Sequence, residues 1–472
     1  MLTYSFENRG GLSLYEYLYK CIKEDILSFR LAPDEKLPSK RALAKNLNIS
    51  TITVETAYGQ LMAEGYIYSV PKSGFFVSHI ASSERKAFSP SAENERRKKE
   101  GEEEFFADFV KNSAANDTFP FSVWTKLMRE TMSDEQKKLM VSSPSVGIYE
   151  LRKAIADYLF QFRGMRVSAD RIVIGAGTEY LYSLIIQLLG RSKRYALEDP
   201  GYRKIYHIYK ANEVDCVHVP LDGNGISVER LEKSNADVLH ISPSHHFPTG
   251  IVTPISRRYE LLSWASKSKD RYIIEDDYDS EFRLLGKPIP SLQSIDVLEK
   301  VIYINTFSKS LTPTIRISYM VLPENLMKKY NETLSFYSCT VSNFEQYTLS
   351  SFIRRGYFEK HINRMRNFYR NQRDGLMQTI KSHPFYENVT ITEENSGLHF
   401  LLTVKTELSD EELIKRAGEK GINVSCLSQY YFDRKNSKEH TLIINYSGIE
   451  KEKMKEAVER LFGAVNLMQK AK

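Results

Sequence analysis

The chain has 472 residues, which is enough for two or three domains with sizeable hydrophobic cores. Hydrophobic residues make up 42% and charged residues 27%, a balance that excludes a disordered or fibrous protein. The formal net charge of +6 is small for this length and is no argument by itself for a nucleic-acid partner. No apolar run is long enough to cross a bilayer, so no membrane partner is expected.

The expected compartment is the cytoplasm. Residues 1–10 lack the apolar core of a signal peptide. The four cysteines are widely separated, show no paired metal-ligand spacing and are expected to be reduced thiols: Cys21, Cys216, Cys339 and Cys426.

A change of composition divides the chain. Residues 81–104 contain clustered charges, one proline and almost no apolar periodicity, which is typical of a linker. We therefore predict an N-terminal module over residues 1–80, a charged linker over 81–104 and a large domain over 105–472.

The N-terminal module has the pattern of three helices and a hairpin. Apolar residues at helical spacing predict a first helix that buries Leu14, Leu18, Cys21, Ile22 and Ile26. Ser39 and Ser50 are typical N-caps for helices over 40–47 and 51–64, and Gly65 ends the third helix. Alternation over 66–77 predicts a hairpin with its turn at 71–74. This is the layout of a winged helix-turn-helix, in which the third helix enters the DNA major groove.

The module also resembles the GntR-type DNA-binding signature. The matching residues are Leu37-Pro38-Ser39, Arg41, Leu43-Ala44, Ala57-Tyr58, Leu61, Glu64-Gly65 and Gly74-Phe75-Phe76-Val77. The residues expected to contact double-stranded DNA are Ser39, Arg41, Ser50, Thr51, Thr53, Lys72 and Gly74. Thr51 and Glu55 stand where this family often has basic residues, so we expect only modest phosphate attraction. A winged helix used only for protein contacts is the alternative.

The large domain alternates helical and strand-like runs, which predicts an α/β fold with a mainly parallel sheet. Predicted strands cover residues 171–174, 194–197, 238–241, 272–274 and 300–304. The first strand leads into a glycine turn at 175–179 and a helix over 180–189, a unit that directs backbone N–H groups at an anion. Because ligands gather at the carboxyl ends of parallel strands, we expect the residues after these strands to form one site.

Single residues after these strands suit one cofactor. Lys309 follows the last strand and Ser308, as a lysine that forms a Schiff base would. Gly177 could hold a phosphate, Tyr202 could stack on a ring, and Asp276 could meet a pyridinium nitrogen. Each also has an ordinary alternative: a solvated lysine, a tight-packing glycine, a core tyrosine and a strand-end cap. The neighbouring histidines His245 and His246 lack a metal-ligand spacing, so no metal is predicted.

The order of these motifs is similar to that of the fold-type I, aspartate aminotransferase-like enzymes that use pyridoxal 5′-phosphate. Joined to the GntR-type module, the chain resembles the MocR family of bacterial transcription regulators. The matching segments are Phe119-Pro120 with Trp124, Gly147 with Leu151-Arg152, Gly177-Thr178, Asp199 to Tyr202, Phe247 to Gly250, Glu275 to Phe282 and Phe307 to Leu311.

The resemblance implies a role for each matched residue. Lys309 would carry pyridoxal phosphate as an aldimine, and Asp276 would keep the ring nitrogen protonated. Tyr278 would donate to the ring hydroxyl, and Tyr202 would stack on the ring. The phosphate would be held by Gly177, Thr178, Ser308 and Arg316, although a salt bridge is the ordinary alternative for Arg316.

Two departures bear on function. Phe247 stands where the related aminotransferases have an asparagine for the ring oxygen, which would leave that bond to Tyr278 alone. Ile443 stands where relatives commonly have an arginine for the substrate carboxylate, and an apolar side chain cannot replace a bidentate cation. An α-amino acid would then be held poorly unless Arg203 or another group supplies the charge.

The sequence therefore predicts a cytoplasmic transcription regulator, with a smaller C-terminal α+β subdomain at about 325–472. It would bind DNA and sense pyridoxal phosphate, or an amine or amino acid, through an aldimine at Lys309; Ile443 favours pyridoxal phosphate itself. The resemblance also implies a head-to-tail homodimer. An active aminotransferase with a DNA-binding appendage is the competing hypothesis, and a degenerate domain that only dimerises is a third.

Overall fold

The computed structural model describes residues 2–6, 9–79, 105–111, 118–284, 289–394 and 397–465. The chain divides into two compact units, Met1–Glu102 and Glu103–Lys472. The predicted linker, residues 81–104, lies outside the described residues. In the part of the chain that is described, no helix is both long and apolar enough to span a membrane.

The N-terminal unit contains three helices and a hairpin: α1 Leu14–Leu27, α2 Lys40–Leu47, α3 Thr51–Ala63, β1 Ile67–Val70 and β2 Gly74–Val77. The Ser39 and Ser50 side chains cap α2 and α3 by accepting backbone N–H bonds, as their positions predict. Leu18, Val54 and Tyr58 are fully buried between the helices. The predicted three-helix, one-hairpin arrangement is confirmed.

The second unit is built around an eight-stranded sheet with the order β4-β11-β10-β9-β8-β5-β6-β7. Strands β10, β9, β8, β5 and β6 run parallel, whereas β11 is antiparallel to both its neighbours. The strands are β4 Ile172–Gly175, β5 Arg194–Asp199, β6 Asp215–Asp222, β7 Gly225–Ile226, β8 Val238–Ile241, β9 Tyr272–Asp276, β10 Val301–Thr306 and β11 Ser318–Val321; the two-residue β3, Ala107–Asp108, lies outside this sheet.

Helices flank this sheet and continue into the C-terminal part. They are α4 Phe121–Asp134, α5 Gln136–Leu139, α6 Tyr149–Arg163, α7 Thr178–Leu189, α8 Arg203–Ala211, α9 Val228–Lys233, α10 Ile255–Ser266, α11 Phe307–Ser310, α12 Glu324–Thr333, α13 Asn343–Arg354, α14 Tyr357–Ser382, α15 Asp410–Glu419 and α16 Met454–Val465. The central strands are buried on both faces, which is why they are continuous apolar runs.

The C-terminal part adds a second sheet of four antiparallel strands, in the order β12-β13-β16-β15. Its strands are β12 Val389–Thr392, β13 His399–Val404, β15 Ser425–Cys426 and β16 Thr441–Asn445; β14, Ile422–Asn423, pairs with β3. The predicted fold class, a mainly parallel α/β sheet with a smaller α+β part, is confirmed.

Candidate functional site

The pairing register brings the ends of distant strands to one level. Ser318, the first residue of β11, pairs with Gly175 at the end of β4 and with Thr306 at the end of β10. On the next strand, Asp276 pairs with Ile304. The glycine turn, the segment before β11 and the segment after β10 therefore start from the same edge of the sheet, as the sequence predicts for a parallel α/β fold.

Lys309 lies on the short helix α11 directly after β10. Thr306 caps this helix, because its hydroxyl accepts the Ser308 backbone N–H at 3.1 Å, and the Ser318 hydroxyl donates to Thr306 at 2.8 Å. Burial lowers the pKa of the Lys309 amine, while the negative charge of Asp279 opposes that shift. A lowered pKa leaves more of the amine neutral and nucleophilic than in a solvated lysine.

An anion-binding corner lies beside Lys309. Helix α7 begins at Thr178, and its first turn presents backbone N–H groups. The Ser308 Oγ atom is buried and makes no hydrogen bond to any described residue. Arg316 reaches over Gly177 so closely that a Cβ atom there would collide with its guanidinium group, and it pairs with Glu179 at 3.2 Å. This corner can accommodate a phosphate group.

Asp276 is placed to meet a cation at the other end of the site. One of its carboxylate oxygens accepts a hydrogen bond from the Tyr182 hydroxyl at 2.5 Å, and the other is buried and has no partner among the described residues. Behind it, the His240 ring lies 3.7 Å from the same carboxylate and is bonded to Tyr209 at 2.7 Å. Sequence reasoning missed Tyr182, whose only signal is its place one turn into the helix after the glycine turn.

Tyr278 lies on the same edge and is half-buried. Its hydroxyl is 3.3 Å from His245 Nδ1, and that ring is held by Asp279 at 2.8 Å. Burial raises the pKa of Tyr278 well above its ordinary value, so the phenol stays protonated and can donate a hydrogen bond. Across the described ranges, no group of three or more His, Cys, Asp or Glu side chains is arranged to hold a metal ion.

Glu198 is a second residue that sequence reasoning missed. It is the residue before Asp199 at the end of β5, lines the cavity, and accepts the Ser242 backbone N–H at 3.0 Å. Burial, with a smaller contribution from the charge of Asp276, raises the pKa of Glu198 to about 8. Burial likewise lowers the pKa of the adjacent His246 to about 3. Both side chains are therefore uncharged near neutral pH.

The two departures from the aminotransferase pattern meet in one apolar cluster. Ile443 is 3% exposed and packs with Leu401 and Leu427, and Phe247 packs against the same group. The Phe247 ring also meets Tyr202 edge to face, with ring centroids 5.8 Å apart. Phe247 lines the cavity, so this part of its wall is hydrophobic, whereas Ile443, Leu401 and Leu427 are buried in the cluster and are not among the lining residues.

Seven of the eight predicted cofactor residues line one cavity of about 740 Å³, and the eighth, Gly177, is next to the lining residue Thr178. The lining includes Thr178, Tyr202, Arg203, Asp276, Tyr278, Ser308, Lys309 and Arg316. Arg203 donates to the Tyr431 carbonyl oxygen at 3.2 Å. The buried oxygen of Asp276 matches a ring nitrogen, and the buried hydroxyl of Ser308 together with the Arg316 guanidinium group over Gly177 matches a phosphate group. The site therefore fits pyridoxal 5′-phosphate.

The predicted DNA face belongs to the N-terminal unit. Arg41, Thr51 and Lys72 are exposed, and Thr53 and Gly74 are half-buried. Ser39 and Ser50 are exposed but already cap their helices. Lys72 and Gly74 have positive φ angles of 62° and 123°, which form the tip of the hairpin. The individual DNA contacts stay predictions.

Comparison with known families identifies both domains of the chain. Residues 14–77 match the bacterial regulatory proteins of the gntR family, and residues 111–461 match aminotransferase class I and II. The fold and site thus define a transcription regulator that binds DNA through a GntR domain and contains an aminotransferase-type domain, a class whose cofactor is pyridoxal phosphate.

Relatives that match over most of their length identify the family more narrowly. It is 39% identical to the uncharacterised HTH-type transcriptional regulator YdeL of Bacillus subtilis, over 97% of this chain and 98% of that one. It is 29% identical to the probable rhizopine catabolism regulatory protein MocR of Rhizobium meliloti, over 96% and 94%. It is 30% identical to the pyridoxine biosynthesis regulator PdxR of Corynebacterium glutamicum, over 85% of each chain. The chain belongs to the MocR family of HTH-type regulators.

The fold of the second unit is also found in solved enzymes. Pyrococcus horikoshii kynurenine aminotransferase superposes with a TM-score of 0.68 and 24% identity, over 83% of this chain and 98% of that one. At this identity the likeness concerns the fold alone.

Replacing Glu198 should change how stability depends on pH. A carboxyl group with a pKa raised to about 8 binds a proton in the folded state that it loses on unfolding, so its contribution to stability falls as pH rises toward 8. We expect Glu198→Gln to remove that part of the fall. Thermal unfolding of both proteins without added cofactor, at pH 5 to 8.5, measures the difference. If the difference in melting temperature between the two proteins is the same at every pH, the raised pKa of Glu198 is contradicted.

Replacing Gly177 should weaken cofactor binding through Arg316. Gly177→Ala places a Cβ atom against the guanidinium group, and losing a hydrogen bond to a charged group costs about 1.5–3 kcal/mol, roughly tenfold or more in affinity. Gly190→Ala is a matched control, because its φ of 110° and ψ of 142° are similarly restricted to glycine, while its Cβ would meet only the Ser192 Oγ at 3.9 Å. Equal losses of pyridoxal phosphate affinity in a fluorescence titration would show that strain alone is responsible.

Proposed function

We propose that this protein is a transcription regulator that senses pyridoxal 5′-phosphate itself and changes its DNA binding in response. The observation that carries this proposal is the apolar cluster of Phe247 and Ile443, because Phe247 from this cluster lines the same cavity as Lys309 and Asp276. The similarity to a pyridoxine biosynthesis regulator supports the same ligand.

The residues of the site would divide the binding between them. When bound, pyridoxal phosphate supplies an aldehyde that reacts with amines and a ring that withdraws electrons. Lys309 offers a buried amine of lowered pKa for covalent attachment. Asp276 would hold the ring-nitrogen proton and Tyr278 would donate to the ring hydroxyl. Ser308 and Arg316, with the first turn of α7, would bind the phosphate.

The apolar cluster supports rejection of α-amino acids as effectors. A carboxylate placed against Phe247 would lose water without gaining a charged partner, which is costly in a buried site, and the residues packed with Phe247 are apolar too. Two cations that line the cavity have other partners: Arg203 donates to the Tyr431 carbonyl oxygen, and Lys204 is paired with Glu179. Arg203 is the one residue named by the sequence as an alternative partner for an α-carboxylate. It could turn from the Tyr431 carbonyl oxygen toward such a group.

The regulator would act in the cytoplasm, where its DNA partner is found, and as a head-to-tail homodimer. A dimer would place two copies of α3 on two half-sites of an operator. Ligand binding would shift an equilibrium between arrangements that differ in DNA affinity, to the extent that the ligand binds one of them better.

An active aminotransferase is the second candidate, because Lys309, Asp276 and Tyr278 are all present on one sheet edge. Turnover separates the two functions. Sustained amino transfer between common amino acids and keto acids, at roughly 1 s⁻¹ or faster, would refute a purely regulatory role.

Lys309 should be the residue that carries the cofactor. Borohydride reduction of the loaded protein, followed by peptide mapping, is expected to place a pyridoxyl group on the peptide that contains Lys309. Lys309→Ala should lose this label, whereas Lys204→Ala, which alters another lysine of the same cavity, should keep it. A pyridoxyl group on any other lysine would contradict the assignment.

Pyridoxal phosphate alone should change DNA affinity. We expect a change on the order of tenfold, within the usual range of about 1–3 kcal/mol for coupling between two sites, and no further change with amino acids. Ile443→Arg should gain a response to amino acids, and Ile443→Met, of similar length without charge, should not. If the wild type responds to an amino acid and not to pyridoxal phosphate, the proposed effector is wrong.

A further inference from the structure

The recognition helix α3 exposes one strongly apolar side chain. Ile52 is 73% exposed, whereas Val54, Ala57, Tyr58 and Leu61 of the same helix are fully buried. Ile52 occupies the second position of α3, in the part of such a helix that faces base edges in the major groove. Its exposure therefore leaves apolar surface that DNA binding can remove from water.

The side chains around Ile52 offer few free hydrogen-bonding groups for reading DNA bases. Residues 50–57 include no Arg, Lys, Asn or Gln, the side chains that make bidentate hydrogen bonds to guanine or adenine. The Glu55 carboxylate is already paired with Lys40 at 2.6 Å. The Thr56 hydroxyl donates to the Ile52 carbonyl oxygen at 2.9 Å. The Ile52 side chain is thus an apolar group on this face that internal contacts leave exposed.

We propose that Ile52 determines sequence specificity by packing against the 5-methyl group of a thymine in the major groove. Among the four standard bases only thymine presents a methyl group there, so an apolar side chain can distinguish it from the others. Each half-site contacted by α3 then carries a thymine beside Ile52. Contacts to the phosphates supply affinity and position the helix but carry no sequence information.

The experiment removes a single methyl group from the DNA. Full-length protein with pyridoxal phosphate selects sites from duplexes of randomised sequence, and each thymine of the selected site is then replaced by deoxyuridine. We expect one position per half-site at which wild-type affinity falls about fourfold, which corresponds to ~0.8 kcal/mol for one buried methyl group. Ile52→Ala should bind the thymine and uracil duplexes equally.

Two further variants keep the test decisive. Met62→Ala truncates a side chain that is 36% exposed in the last turn of α3, and it should remain as sensitive to uracil as the wild type. Ile52→Thr keeps β-branching and should show a smaller uracil effect than the wild type; circular dichroism checks that each variant is folded. The proposal is overturned if no single uracil weakens wild-type binding, or if the Ile52 variants retain the full fourfold effect.

Discussion

The register of the large sheet is the constraint on which the cofactor site depends. Because Ser318 pairs with both Gly175 and Thr306, the phosphate corner and the Lys309 helix begin at one level of the sheet. A shift of one residue in either pairing would turn the side chains of that strand to the opposite face. Because the strands are apolar on both faces, their composition alone does not set this register; the hydrogen bond from the Ser318 hydroxyl to Thr306 is one specific contact that fits it.

The site keeps polar atoms buried without partners, and this links its stability to its ligand. An unpaired buried oxygen such as Asp276 Oδ1 costs about 1–3 kcal/mol. Tyr182 and the capped helix at Lys309 hold these groups where a ring nitrogen and a phosphate can satisfy them. A ligand that does so stabilises this one arrangement, and a regulator needs such a ligand-dependent equilibrium.

An apolar cluster borders the same cavity. Phe247 and Ile443 come from separate parts of the chain and pack into this one cluster, and Phe247 lines the cavity. The cavity therefore combines polar groups such as Asp276 and Ser308 with an apolar wall at Phe247. The predicted DNA face also has few unpaired charges. Glu55 is paired with Lys40, and the first turns of α3 contain no basic residue.

The sequence alone determined the elements and the positions of Lys309, Asp276 and Gly177 at strand ends, because apolar period, capping serines and glycines are local signals. It misplaced several boundaries by one or two residues; Asp276, for example, is the last residue of β9 rather than beyond it. Only the tertiary structure decided that Tyr182 supports Asp276, 94 residues away, that Glu198 is buried enough to hold a proton, and that Phe247 meets the cluster of Ile443. Burial and hydrogen-bond partners of this kind depend on how side chains pack together and exclude water. Long-range packing sets that arrangement, and neighbours along the chain do not.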